Sequence, residues 1–312
     1  MIIHLGYVSI SKTLDITSSK TITYTEFNKH KDLNKLDNII IENLTNLEKI
    51  IDYNIKNNIH FYRLTSKLIP LASIKEIEFD YLKKHQKFYQ RIGNKIKKYN
   101  IRIDTHPDQF CILNSTKKEI VDNSINILKY HYNILDALNI ENKIIILHIG
   151  SSVLGKDNSI KRFINNFNKL PNYLKECIAI ENDDKIYNIK DCLYLCNQLN
   201  IPMVLDYHHH ICNNNNINID NYFKEIFNTW KNNTPKIHFS SPKNKTKKEF
   251  RSHHDYINID DFITFLEKIK PLNINIDIML ECKAKDEALF KLVRLLKYHN
   301  YHFIDDTTLK LK

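Results

Sequence analysis

Eight times along this chain, a short run rich in Ile, Leu, Val and Phe gives way to a longer segment whose apolar residues recur at helical spacing. The runs are residues 2–8, 59–64, 101–105, 143–147, 177–180, 201–205, 235–240 and 276–280. The segments that follow them are 37–58, 79–99, 119–138, 160–174, 188–199, 219–230, 258–269 and 286–299. In the first of these, Ile40, Leu44, Leu47, Ile51 and Ile55 mark one apolar helix face. Short apolar runs bounded by turn signals read as buried strands, and strands alternating with helices imply a parallel sheet. Eight such units imply a closed (β/α)8 barrel, an α/β fold in a single domain over residues 1–303, with 304–312 as a tail that frays or adds a short strand. An open doubly wound sheet would put a glycine-rich phosphate loop after one strand, and the chain, with 4 Gly, has no such loop. Residues 9–35 are too irregular to assign.

The ligand-type residues fall at the strand ends. The third to eighth runs end in, or carry near their ends, His106, His148, Glu181, Asp206, His238 and Glu281. His209 follows in the triplet His208–His209–His210, and either His253 or His254 follows in a later loop. Parallel barrel strands open their C-terminal ends on one face, where barrel enzymes keep their active sites. A single strand-end His or Glu is more often a hydrogen-bonded structural group. Six in succession, aimed at one pit, are not explained that way. Three carboxylates collected in a water-poor pit repel one another and lose hydration, and divalent cations are the natural compensation. The donor count exceeds the needs of one ion and calls for two or three, with Glu181 shared between them. Mixed imidazole and carboxylate donors favour manganese or zinc over calcium or magnesium. Multinuclear sites of this kind typically hydrolyse phosphate esters.

Charge points the same way. The chain carries 46 Lys+Arg against 36 Asp+Glu, a net +10, which suits a polyanionic partner. Basic residues crowd the loop before the last histidines, with Lys243, Lys245, Lys247, Lys248 and Arg251 in SPKNKTKKEFRSHH. A basic run leading into a metal-site loop reads as a phosphate-backbone contact. The six cysteines are scattered without a CxxC pair, as in a reduced, cytoplasmic protein. No run approaches the length of a membrane span, and the first ten residues have no signal-peptide pattern. A barrel of this size is self-sufficient as a monomer.

The motifs LGY (5–7), KLIPLAS (67–73), THPDQF (105–110), LHIGS (147–151), IENDDK (180–185), LDYHHH (205–210), PKIHFS (235–240) and SHHDYI (252–257) occur in this order. With them the chain resembles the UV damage endonucleases, relatives of the endonuclease IV-type abasic-site nucleases. The resemblance spans essentially the whole barrel. It implies a manganese cluster and a cut in damaged double-stranded DNA immediately 5′ of cyclobutane dimers, 6-4 photoproducts and abasic sites, leaving a 3′-hydroxyl and a 5′-phosphate. It implies metal ligation by His106, His148, Glu181, Asp206, His209, His238, His253 and Glu281, and so selects His253 over His254. Catalysis is expected of Glu181, Lys236 and His238; Lys236 matches a lysine that carries a carboxylate modification in relatives. Gln109 and Phe110 match a Gln-Tyr pair that wedges into the duplex, and Tyr7 matches an aromatic residue near the extruded nucleotides. Phe110 keeps the stacking face of the usual Tyr but not its hydroxyl. Lys67 stands where some relatives have a metal-ligand His, and a phosphate contact is the alternative for it. Lys243, Lys245 and Arg251 are the remaining expected DNA contacts. The alternatives are an abasic-site endonuclease, a metal-dependent sugar isomerase on the same type of barrel, and a damage-binding module without catalysis.

Overall fold

The computed structural model describes residues 1–244, 246 and 249–311; Lys245, Lys247 and Lys248 of the basic loop lie outside the described residues. Eight parallel strands form the barrel: β1 (Ile2–Val8), β2 (Phe61–Leu64), β3 (Arg102–Thr105), β4 (Ile145–His148), β5 (Ile178–Glu181), β6 (Met203–Asp206), β7 (Lys236–Phe239) and β8 (Ile276–Leu280). They pair in chain order, and β1 closes the cylinder by pairing with both β2 and β8. Helices cover the outside, as the alternating pattern requires. Helix Leu33–Lys56, for example, buries Leu36, Ile40, Leu44, Leu47 and Ile51 on one face. A hairpin of β9 (His302–Phe303) and β10 (Thr308–Lys310) follows, with β10 antiparallel to the start of β1.

Side chains alternate along each strand, so inward residues stack in layers down the barrel. Val8, Phe61 and Met279 pack together inside, as do Ile144, Ile146, Ala179, Val204 and Trp230. Most of the inward positions two residues further along β3 to β8 hold the charged and imidazole groups of the site. The opposite parity sends Tyr7, Tyr62 and Leu205 outward into the main core beneath the helices.

Three helical segments differ from the spacing-based expectation. Residues 79–99 form two helices, Tyr81–Lys84 and Gln86–Lys98, broken at His85, whose ring is buried 2.9 Å from the Asp37 carboxylate. Residues 160–174 divide into Lys156–Asn168 and Asn172–Lys175, with Pro171 starting the second. After β6 a helix begins at once, Tyr207–Cys212, because the Asp206 side chain caps it by accepting from the His209 N–H at 2.7 Å. Within 219–230 only a 3-10 turn, Ile219–Asn221, and helix Phe223–Asn228 remain. Among the described residues, no helix is long and apolar enough to cross a membrane.

One buried histidine of the helical layer makes stability sensitive to acid. His131, on helix Lys118–Ala137, is 2% exposed, and burial pushes its imidazole down to about 3. A depressed folded-state pKa means that stability is fully present above the unfolded value and is lost as pH falls, because the unfolded chain takes up a proton that the native one refuses. Between about pH 6 and pH 4 the loss from this group approaches about 1.4 kcal/mol per pH unit. His131→Phe is expected to flatten that slope in urea unfolding series, and an unchanged slope would remove His131 from the account.

Candidate metal centre

The C-terminal ends of the barrel strands enclose a cavity of about 570 Å³ lined by Arg63, His106, His148, Glu181, His209, His253 and Glu281, among others. Glu181, 1% exposed, is its hub. One carboxylate oxygen lies 2.8 Å from His106 Nε2 and 3.8 Å from His148 Nε2. The other lies 2.8 Å from His238 Nδ1 and 3.5 Å from His209 Nδ1. The hub follows from register: Glu181 is opposite His148 on β4, and Asp206 is opposite His238 on β7. Glu281 ends the circle, 3.3 Å from His238 Nδ1 and 3.9 Å from His253 Nδ1.

Two groups of donor atoms are close enough to share an ion, one from His106, His148 and Glu181 and one from Glu181, Asp206, His238 and Glu281, each set lying within 4.8 Å of one another. Glu181 belongs to both. The fit to cations rests on more than proximity. Asp206 Oδ2 and His148 Nδ1 are buried without a hydrogen-bond partner among the described residues. Burial pushes the Asp206 carboxyl up to about 8, against the pull of His209. Against burial, the carboxylates of Asp206, Glu181 and Glu281 hold His209 up at about 9. Burial drives His238 down to about 3, which keeps its imidazole neutral and available as a donor. Carboxylates and imidazoles held this close form a donor set that divalent cations would balance.

The neighbours of the triplet resolve it. His209 reaches the hub, while its own Nδ1 also contacts the Asn182 carbonyl at 3.0 Å. His208 is buried beneath, edge-on to His253 and against Phe250 and Cys212. His210 is buried away from the cavity lining. Of the later pair, His253 lines the cavity, while the His254 backbone N–H donates to Ser241 O at 2.8 Å and its ring accepts from the Tyr256 N–H at 2.9 Å.

Lys236 sits two residues before His238 and therefore one layer lower. It is fully buried, ion-paired with Asp104 of β3, with its ammonium over the Phe61 ring. Burial pulls it down to about 7. Arg63, at the inward end of β2, is a group that strand-end counting of His, Asp and Glu passed over. Its guanidinium lies 2.6 Å from Glu281, 2.5 Å from His238 Nε2 and 3.6 Å from Asp104, linking the ligand layer to the Lys236 layer. The signal was available in FYRL, where alternation aims Arg63 into the same pit as Phe61.

The expected DNA contacts fare unevenly. Gln109 is exposed, and Phe110 is 70% exposed at the rim, in the loop after β3 and within four residues of His106. Tyr7 requires correction as a surface contact. It is fully buried, its hydroxyl donates to Asn54 at 2.8 Å and its ring packs on Tyr62, because strand parity turns it to the helix side. Lys67, an expected DNA contact where some relatives carry a ligand His, is exposed and does not line the cavity, where Arg63 and Ser66 stand. Lys243 is exposed and paired with Glu249, and Arg251 is exposed 3.6 Å from Asp184.

Known proteins share both sequence and fold with this chain. The UV-endonuclease UvdE family matches residues 3–311. The UV DNA damage endonuclease of Bacillus mycoides (strain KBAB4) is 41% identical over 300 residues, covering 94% of each chain. The crystal structure of SacUVDE superposes with a TM-score of 0.87 at 35% identity, covering 96% of this chain and 99% of that one. Endonuclease IV from Thermus thermophilus shares the fold, with a TM-score of 0.58 at 10% identity over 95% of this chain and 99% of that one. A match across nearly the whole barrel, with the hub carboxylate and its imidazoles in place, shows that the chain belongs to the UV-endonuclease UvdE family.

Proposed function

We propose that this chain is a metal-dependent DNA repair endonuclease that nicks duplex DNA immediately 5′ of cyclobutane dimers, 6-4 photoproducts and abasic sites, leaving a 3′-hydroxyl and a 5′-phosphate. The observation that carries this reading is the Glu181 carboxylate held among His106, His148, His209 and His238 at the open end of the barrel. His106, His148, Glu181, Asp206, His209, His238, His253 and Glu281 are the residues that would hold two or three manganese ions. When bound, such ions activate water and steady the leaving oxygen of an in-line phosphoryl displacement.

The chain's own residues do the rest. Glu181 divides its two oxygens between the two donor groups and so fixes their separation. His238 is locked in orientation, with Glu181 on one ring nitrogen and Arg63 on the other. The Lys236–Asp104 pair supports that layer from below, and a lysine brought near neutrality by burial has the free amine that carboxylation requires. Phe110 stands out from the rim where a base step would be pried open, and a lesion lowers the cost of leaving the stack.

The test is a nicking assay on a duplex with one thymine dimer beside a duplex with one abasic site. Cleavage of both, 5′ of the lesion, is expected; cleavage of the abasic duplex alone would contradict the photoproduct reading. Phe110→Ala is expected to lower the ratio of damaged to intact nicking roughly tenfold, the worth of one lost base–aromatic stack, with metal content unchanged. An unchanged ratio would count against the wedge.

A further inference from the structure

We propose that Lys285 is a substrate contact, placing its ammonium on the phosphate that enters the metal cavity; the proposal rests on the nuclease reading above. Lys285 lines the cavity together with Glu281, Cys282 and Lys283. It is half-buried, yet among the described residues no carboxylate lies within the 4.0 Å of an ion pair and no hydrogen bond holds its side chain. Apart from the exposed Lys283, the neighbouring cations are already paired. Arg63 holds Glu281 and Lys236 holds Asp104, while Lys243 at the rim holds Glu249. A lysine kept in a pocket wall without an acid partner is a site for an incoming anion, and the anion of this reaction is a phosphodiester.

The backbone shows how the side chain is held there. Lys285 has φ +52, in the left-handed region that costs most side chains about 1 kcal/mol or more. Of the fourteen other non-glycine residues with positive φ among the described residues, eight are asparagine, as at Asn58, Asn100 and Asn139, and the rest are Ser9, Asp15, Lys31, Leu71, Leu154 and Lys231. Lys31 and Lys231 share the conformation, but both are exposed and neither lines this cavity. The next residue, Asp286, fully buried, clamps the turn. It accepts from Ser11 Oγ at 2.7 Å, Lys12 N–H at 2.6 Å and Thr13 N–H at 3.2 Å, tying the start of helix Lys285–Tyr298 to the loop after β1. The clamp and the reversed φ fix the backbone at Lys285, whose side chain lines the cavity. Lys283, exposed at the same edge, extends the positive wall outward along the path of the backbone.

The experiment is single-turnover nicking of a dimer-containing duplex by metal-loaded wild type, Lys285→Met and Lys285→Arg, over a series of salt concentrations. Metal content and thermal unfolding of each variant are measured in parallel. Lys285→Met is expected to raise the half-saturating enzyme concentration roughly tenfold and to lower its salt slope by about one, the signature of one lost phosphate contact, with metal content and Tm as in the wild type. Lys285→Arg is expected to restore the slope. An unchanged half-saturation and slope in Lys285→Met overturns the proposal. So does a loss of metal or of stability with the slope unchanged, which would make Lys285 a structural residue. A wild-type chain that does not nick the duplex overturns the nuclease reading itself.

Discussion

Glu181→Ala is expected to lower single-turnover nicking roughly a thousandfold or more, equivalent to about 4 kcal/mol. The size follows from what the carboxylate holds. Four imidazoles converge on it, and removing it leaves a buried set of donors with their shared anion gone. The two donor groups then lose their common member, so metal content is expected to fall with activity. Lesion binding is expected to survive in part, because Phe110 stands on the loop after β3 and touches none of these groups through Glu181. Nicking by Glu181→Ala at the wild-type rate would show that the carboxylate is not shared between the ions.

Arg63→Met is expected to destabilise the metal-free protein by about 3 kcal/mol in urea unfolding, the typical cost of removing one partner from a buried ion pair. The Arg63 guanidinium faces Glu281, Asp104 and His238 at once, with the side chain 9% exposed. Without it, Glu281 loses its ion-pair partner at 2.6 Å, and Asp104 is left with Lys236 alone. Metal loading is expected to recover part of the loss, since divalent ions neutralise the same ring of acids. Arg63→Lys keeps the charge but not the planar fork that reaches Glu281 and His238 together, and is expected to fall between the two. A metal-free Arg63→Met protein as stable as the wild type would mean that the guanidinium does not balance these acids.

The fold was legible because its signal is repeated. One apolar run says little, but eight runs separated by amphipathic segments leave few architectures. The ligand ring was legible for the same reason, as strand ends of a parallel barrel converge and a residue type that recurs at them stands out. What the sequence reading lacked was parity. Tyr7 and Arg63 both sit near strand ends, and both hinge on which side of the sheet the residue faces. Alternation buries Tyr7 against Asn54 and aims Arg63 at Glu281. Lys236 shows the same rule one step down, two residues before a ligand and one layer beneath it. The helix after β6 was missed because its start depends on Asp206 acting as a cap, while periodicity reads only the apolar face.

The measurement that bears most directly on the whole account is a metal titration of the stripped protein against single-turnover nicking of a duplex carrying one thymine dimer. The stripped chain is expected to be inactive. Activity is expected to return as manganese binds to two or three ions per chain, with a single cut 5′ of the dimer whose 3′-end a DNA polymerase extends. Nicking by the stripped chain at the metal-loaded rate, or equal nicking of intact and damaged strands after loading, would contradict it.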